Sequence, residues 1–145
     1  MKCIKYKSGY KYQLCETYCV NFEELKQEKD IITDYVSLDI KGNLTIMKGY
    51  AWDGPSGPTV DTKTFMRGSL IHDALYQLIR LGYLDGKIYK EIADKILEKT
   101  CKEDGMFFFR AWYVFRGVKY FANSAVDPKH ENPIQKAPDN CDCGK

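Results

Sequence analysis

A strand–turn–strand pattern occupies residues 35–46, which read Tyr35-Val36-Ser37-Leu38-Asp39-Ile40-Lys41-Gly42-Asn43-Leu44-Thr45-Ile46. Apolar and polar residues alternate, with Val36, Leu38 and Ile40 on one face, and this period of two is typical of a half-buried β-strand. The Lys41-Gly42-Asn43 step supplies a turn before the alternation resumes on a return strand. We therefore predict a β-hairpin over these residues.

The residues before this hairpin also favour strands. The segments 4–12 and 14–20 are rich in Tyr and Val, and Ser8-Gly9 lies among them. This composition predicts a strand, a turn and a second strand. Asn21 is then a candidate cap for a short helical turn over residues 22–28.

A loop with a different composition follows the hairpin. It reads Gly49-Tyr50-Ala51-Trp52-Asp53-Gly54-Pro55-Ser56-Gly57-Pro58. Three glycines and two prolines within ten residues predict that the segment has no regular structure. An aromatic residue, Trp52, and an acid, Asp53, lie inside it.

Beyond the loop the spacing of apolar residues becomes helical. Asp61, Thr62 and Thr64 are candidate N-caps, and an apolar stripe then continues to Gly82, which fits the position after a helix end. A second helix is predicted to begin at Asp85-Gly86 and to end at Gly105.

A third helix is predicted over about residues 106–122, with an apolar surface wider than one stripe. The predicted fold is therefore α+β, with N-terminal β-hairpins packed on a bundle of three C-terminal helices. Residues 1–126 are predicted to form one domain. Residues 127–145 contain three prolines and no periodicity, which predicts a flexible tail.

The composition narrows the class of protein. A length of 145 residues suits one domain, and a hydrophobic content of 44% is that of a globular protein. The 22 basic and 20 acidic residues give a net charge of +2, so the basic excess of a nucleic-acid binder is absent. We expect no nucleic-acid partner.

The sequence has no apolar run long enough for a transmembrane helix, and no apolar segment follows the charged first residues as in a signal peptide. We therefore expect a cytoplasmic protein with reduced cysteines. Cys141 and Cys143, in the predicted tail, lack a nearby histidine pattern, so a soft-metal site there has little support, and their role stays open.

The candidate chemistry lies mainly on the first two helices. His72 and Tyr76 are one helical turn apart, so they share a face among apolar residues. Asp94 lies beside the apolar stripe of the second helix, and a short connection would make the two helices antiparallel. Asp94 could then reach His72 and orient it as a general base. A purely structural His–Asp hydrogen bond is an equally good interpretation.

The loop could add two further groups to this end of the helix pair. Asp53, together with Asp73 and loop carbonyls, would form an oxygen-rich site of the kind that Ca²⁺ or another divalent metal prefers. Ser56 is a candidate nucleophile because its surroundings partly resemble a nucleophile elbow, although Pro58 breaks the motif. A turn or capping role for this serine is the alternative.

The ordered motifs resemble a family of small phage and prophage proteins of unknown function. The resemblance covers about residues 35–121 and lies in an Asp-x-x-Ser-x-Pro loop, a His-Asp-x-Leu-Tyr helix and an Ala-Asp helix. The matching residues here are Asp53, Ser56, Pro58, His72, Asp73, Leu75, Tyr76 and Asp94. The resemblance implies a phage-encoded protein of an infected host cell. It implies no particular activity, because the family has no established one.

A second resemblance covers about a third of the chain. Secreted phospholipases of the A2 type place a His-Asp pair and a Tyr on one helix, after a calcium loop, with another Asp on an antiparallel helix. The resemblance implies that His72 activates water, that Asp73 binds Ca²⁺ and that Asp94 orients the histidine. The half-cystine framework of those enzymes is missing here, and the loop differs in sequence and in distance from the histidine.

The sequence therefore leads to two alternative hypotheses for the function. The first is a hydrolase that cleaves an ester or amide bond in lipid or cell-envelope material, with Tyr76 holding the acid network. The second is a non-catalytic phage accessory protein that binds a host or virion protein, in which the histidine and acids are structural.

Overall fold

The computed structural model describes residues 4–6, 11–54, 63–107 and 135–137. The strands are Ile4–Tyr6 (β1), Tyr12–Gln13 (β2), Tyr18–Asn21 (β3), Ile31–Ile32 (β4), Val36–Leu38 (β5), Asn43–Ile46 (β6), Ala51–Trp52 (β7) and Gln135–Ala137 (β8). The helices are Lys63–Arg80 (α1) and Gly86–Glu103 (α2), and Glu23–Leu25 forms a 3-10 turn. The predicted α+β class is confirmed.

The predicted hairpin is confirmed as β5 and β6, which pair with Val36 opposite Ile46 and Leu38 opposite Leu44. These four side chains are fully buried, so the period of two places one face of the sheet in the core. β3 and β4 complete an antiparallel sheet of order β3-β6-β5-β4. Ile40 was expected to share the buried face, but it lies beyond the end of β5 in the turn and is 49% exposed.

The predicted N-terminal hairpin is wrong for the residues that the structure describes. β1 pairs with β8, β2 pairs with β7, and β3 pairs with β6. Alternation marks a strand but does not name its partner, and here the partners are distant in sequence. β8 lies within the predicted tail, and the rest of that tail lies outside the described residues.

Two local predictions also need correction. The Gly- and Pro-rich loop contains β7, whose Trp52 pairs with Tyr12 of β2. The helical turn is only Glu23–Leu25, and its N-cap is Phe22 rather than Asn21. Asn21 instead donates its side-chain amide to the Lys41 carbonyl, which ties β3 to the hairpin turn.

The ends of the helices largely follow the prediction. The Asp85 side chain accepts from the Lys87 backbone N–H and caps α2. Gly82 and Gly105 follow the two helices with positive φ, as in a Schellman motif. Thr64 lies inside α1 and is therefore not its N-cap, whereas Asp61 and Thr62 lie outside the described residues.

The two helices pack closely at Gly68. A Cβ atom at this position would lie 2.8 Å from Cys101 Sγ and 2.9 Å from Leu97 Cδ1, so only glycine allows this approach without a shift. Next to Gly68, Arg67 of α1 forms an ion pair with Asp104, the residue that follows α2. The pairing of early α1 residues with late α2 residues shows that the helices are antiparallel.

One continuous core joins the sheet to the helix pair. Its members include Leu25, Val36, Leu38, Leu44, Ile46, Ile71, Leu75 and Leu78. Burial of apolar surface is the main stabilising contribution to folding, so this sheet–helix contact determines where α1 lies. The face of α1 that carries the candidate site is thereby held toward α2.

The third helix stays a prediction. Met106 and Phe107, its first two residues, are not helical, and the remainder lies outside the described residues. Neither described helix combines the length and apolar character needed to cross a membrane.

Candidate functional site

Three of the predicted site residues meet between the helices. His72 and Tyr76 project from α1 toward Asp94 of α2, and the exposed fractions of these residues are 7%, 3% and 2%. The positions follow from the apolar stripes, because residues one turn apart on α1 share the face that packs on α2. Polar groups buried this deeply need hydrogen-bond partners.

Asp94 supplies these partners through one oxygen. Its Oδ1 lies 2.8 Å from His72 Nε2 and accepts the Tyr76 hydroxyl at 2.6 Å. The two rings also contact each other, with centroids 3.9 Å apart and planes inclined by 39°. The imidazole is therefore held on one edge by an acid and on one face by a phenol.

These contacts determine which nitrogen of the neutral imidazole carries the proton. An ionised carboxylate can only accept hydrogen bonds, so His72 Nε2 must donate to Asp94 Oδ1. The other nitrogen, Nδ1, then bears a lone pair when the ring is neutral. The arrangement leaves Nδ1 as the atom able to take up a proton.

Nδ1 faces the carboxylate of Asp73. The distance from Nδ1 to Asp73 Oδ1 is 3.9 Å, which is an ion-pair distance and too long for a hydrogen bond. The Asp73 side chain is about one-third exposed, unlike the sealed Asp94. The free nitrogen of the imidazole therefore points toward the more open side of the site.

The environment changes the pKa of both aromatic groups. Burial lowers the pKa of His72 more than any other single influence, but hydrogen bonding and the charges of Asp73 and Asp94 together outweigh it, so the pKa is raised above 6.5. Burial and the neighbouring Asp94 raise the pKa of Tyr76 far above its ordinary value, so the phenol stays protonated and donates.

Asp53 lies at the exposed edge of the same region. Its pKa is raised by partial burial and by the charge of Asp73, while a hydrogen bond from the Lys11 backbone N–H opposes the shift. The two carboxylates are therefore near enough to repel each other. Among the described residues, no group of three or more His, Cys, Asp or Glu side chains is arranged to hold a metal ion.

The remaining predicted site residue, Ser56, lies outside the described residues. An unpredicted contact is a hydrogen bond of 3.1 Å from Trp52 Nε1 to Ser69 Oγ. A serine in an apolar helix, one turn before Asp73, was the sequence signal for it, although nothing in the sequence indicated its partner.

Comparison of the chain with protein-family models, curated proteins and solved structures finds no match.

Proposed function

We propose that this protein is a phage-encoded hydrolase in which His72 is the general base. The observation that supports this most strongly is the pair of contacts on Asp94 Oδ1, from His72 Nε2 at 2.8 Å and from Tyr76 at 2.6 Å. They orient the ring, fix the proton on Nε2 and leave Nδ1 with a lone pair. A carboxylate behind a histidine also stabilises the imidazolium that forms during proton transfer.

The reaction that fits this arrangement is hydrolysis of an ester or amide. His72 Nδ1 takes a proton from water while the water oxygen attacks the carbonyl carbon of the substrate. The tetrahedral intermediate then collapses, the bond to the alcohol or amine breaks, and the imidazolium returns its proton to that leaving group. Asp94 Oδ1 accepts from both Tyr76 and the imidazole and so holds the ring in place during the transfer.

Asp53 and Asp73 are the residues that would hold a divalent cation. Their carboxylates supply hard oxygen ligands, and a bound cation would relieve the repulsion between them. When bound, such a cation polarises a substrate carbonyl. The remaining ligands would have to include water, because the described residues offer no third acid or imidazole in the group.

Lipid or cell-envelope material is the proposed substrate class. The supporting reasons are the similarity of the His-Asp-x-x-Tyr helix to that of secreted phospholipases and the expected phage origin, since a phage must breach an envelope. Ester hydrolysis is therefore the reaction to assay first, followed by hydrolysis of amides.

The test is hydrolysis by wild type and by His72→Asn on phospholipid vesicles, short-chain aryl esters and peptidoglycan fragments. Loss of a general base should lower kcat by about 10²–10⁴-fold while the circular dichroism spectrum is retained. Tyr89→Phe is the control, because within the described part of the chain its hydroxyl donates to the Lys26 carbonyl at 3.5 Å in an exposed position, away from His72. Equal rates in wild type and His72→Asn, or no hydrolysis of any substrate, would contradict the proposal.

A non-catalytic accessory protein is the second candidate, and the burial of the site favours it. His72 and Asp94 are almost fully enclosed, as expected for a hydrogen bond that only pins the two helices together. In that case His72→Asn should mainly lower the melting temperature. A host or virion protein would then be the partner, and pull-down by the wild-type chain from infected cells would identify it.

A further inference from the structure

Trp52 connects the Gly- and Pro-rich loop to α1. Its side chain is 8% exposed, and its indole N–H donates to Ser69 Oγ at 3.1 Å. The Ser69 hydroxyl in turn donates to the Met66 carbonyl at 2.9 Å, one turn earlier in the helix. The serine hydroxyl thus accepts from the loop while it donates to its own helix.

The other side of this loop is held by the N-terminal strand β2. Trp52 pairs with Tyr12 in the β-ladder, and their ring centroids lie 5.5 Å apart. Backbone bonds join Leu14 to Tyr50 and Gly49 to Leu14, each at 2.8 Å. The indole is therefore fixed between a strand on one side and a helix on the other.

Asp53 follows Trp52 directly, and Asp73 lies one helical turn after Ser69 on the same face of α1. The Trp52–Ser69 hydrogen bond (the anchor) consequently brings the two carboxylates into one region, where partial burial and the charge of Asp73 raise the pKa of Asp53. Like charges left to themselves would move the loop away from the helix. Two contacts oppose this repulsion: the Lys11 backbone N–H donates to Asp53, and the Trp52–Ser69 hydrogen bond ties the loop to α1.

We infer that Trp52 and Ser69 are positioning residues that hold the Asp53 carboxylate beside Asp73. The indole N–H has one acceptor, Ser69 Oγ, and the buried ring allows the loop little freedom to shift. The proposed use of this arrangement is cation binding next to His72, and that use rests on the proposed function. The positions of the two carboxylates do not depend on the proposed function.

A purely structural anchor would predict something different. If Trp52 only contributes buried apolar area, its loss lowers overall stability and leaves the interaction between loop and Asp73 unchanged. If it positions Asp53, the effect of the Asp73 charge on the loop must depend on the Trp52–Ser69 hydrogen bond. A double-mutant cycle measures this dependence.

The experiment is hydrogen exchange of the peptide spanning residues 49–54 in the full chain, in buffer without divalent cations. The variants are Ser69→Ala, Trp52→Phe and Asp73→Asn, alone and combined, with Ser37→Ala on the sheet as the control for loss of a serine hydroxyl elsewhere. Loss of one buried hydrogen bond should speed exchange of this peptide about tenfold in Ser69→Ala and in Trp52→Phe. Ser37→Ala should not change it.

Asp73→Asn should slow exchange of the same peptide in the wild-type background, because it removes the repulsion from Asp53. The slowing should be smaller in the Ser69→Ala or Trp52→Phe background, because there the loop is less firmly held beside α1. An equal effect of Asp73→Asn in all backgrounds, or unchanged exchange in both anchor variants, would overturn the inference.

Hydrolysis assays separate this inference from the proposed function. If wild type hydrolyses a substrate, Ser69→Ala should lower kcat and leave KM within about twofold, since the substrate contacts are retained. If wild type hydrolyses nothing but the exchange cycle shows the expected coupling, the proposed function is wrong and the positioning roles of Trp52 and Ser69 stand.

Discussion

The imidazole of His72 and the carboxylate of Asp94 form a buried acid–base pair with one shared neighbour. Tyr76 donates to the same oxygen that accepts from the histidine, so the two donors share one acceptor. Such a network is costly if it is only partly satisfied. Its individual contacts can be tested by substitutions that remove one hydroxyl or one titrating group.

Tyr76→Phe should lower the free energy of unfolding by about 1.5–3 kcal/mol, because the buried Asp94 carboxylate loses a charge-assisted hydrogen bond. Urea denaturation followed by circular dichroism measures the change. Tyr89→Phe, which removes an exposed hydroxyl, should cost less than about 0.5 kcal/mol. Equal losses in the two variants would mean that the Tyr76–Asp94 contact adds nothing to stability.

The raised pKa of His72 predicts a pH dependence of stability. A group whose pKa is higher in the folded state binds protons more tightly there, so it stabilises the fold below the unfolded value of 6.5. This contribution is lost as the pH rises through the raised pKa. The difference in free energy of unfolding between wild type and His72→Asn should therefore shrink between about pH 5.5 and about pH 8.5, on either side of the ordinary pKa of histidine. A difference that grows with pH would show that burial dominates instead.

The helix pair is held together at several levels along its length. Gly68 permits the close approach of α1 and α2, His72 contacts Asp94, and Arg67 donates to both oxygens of Asp104. The antiparallel register that brings His72 to Asp94 therefore depends on packing several residues away. Small changes of side-chain volume between α1 and α2 should therefore alter the geometry of the His72–Asp94 contact.

Gly68→Ala should lower the free energy of unfolding by about 1 kcal/mol. Overpacking costs about 1–3 kcal/mol, and the better helix propensity of alanine offsets about 1 kcal/mol of this. In a Cys101→Ala background the added methyl group loses one of its two clashes, so the same substitution should cost less. Thermal denaturation of wild type, Gly68→Ala, Cys101→Ala and the double variant measures these differences in stability. A stabilising effect of Gly68→Ala in the wild-type background would show that the helices are not in close contact at this position.

The positions of Asp53 in the loop and Asp73 on α1 predict an effect of divalent cations on stability. CaCl₂ should raise the melting temperature of wild type if Asp53 and Asp73 hold a divalent cation, by an amount that follows RT ln(1 + [L]/Kd). Asp53→Asn and Asp73→Asn should each abolish the shift, and chelation should reverse it in wild type. The same shift in both variants would place the cation elsewhere, and no shift with Ca²⁺, Mg²⁺ or Zn²⁺ would remove the cation from the mechanism.

At the scale of the whole molecule, the parts that sequence reasoning predicted are those with a regular period. The β5–β6 hairpin has strict alternation, and the two helices have clear apolar stripes and recognisable caps. A short connection makes neighbouring helices antiparallel, and this was sufficient to bring His72, Tyr76 and Asp94 together.

The parts that could not be predicted depend on partners distant in the chain. β1, β2 and β3 each pair with a strand that is not their neighbour in sequence, and alternation carries no information about the choice. The Trp52–Ser69 contact likewise joins an aperiodic loop to a helix 17 residues farther along. Such contacts are decided by the assembled core rather than by local sequence.

The most direct test of the proposed catalytic role is the tautomer of His72 by ¹⁵N NMR of the imidazole. Above its pKa, the ring should carry its proton on Nε2, bonded to Asp94, and Nδ1 should show the shift of a bare nitrogen. Asp94→Asn should weaken this preference. A neutral ring that is protonated on Nδ1 would carry its lone pair on Nε2, which faces Asp94 and has no room for water, and would contradict the assignment of His72 as the general base.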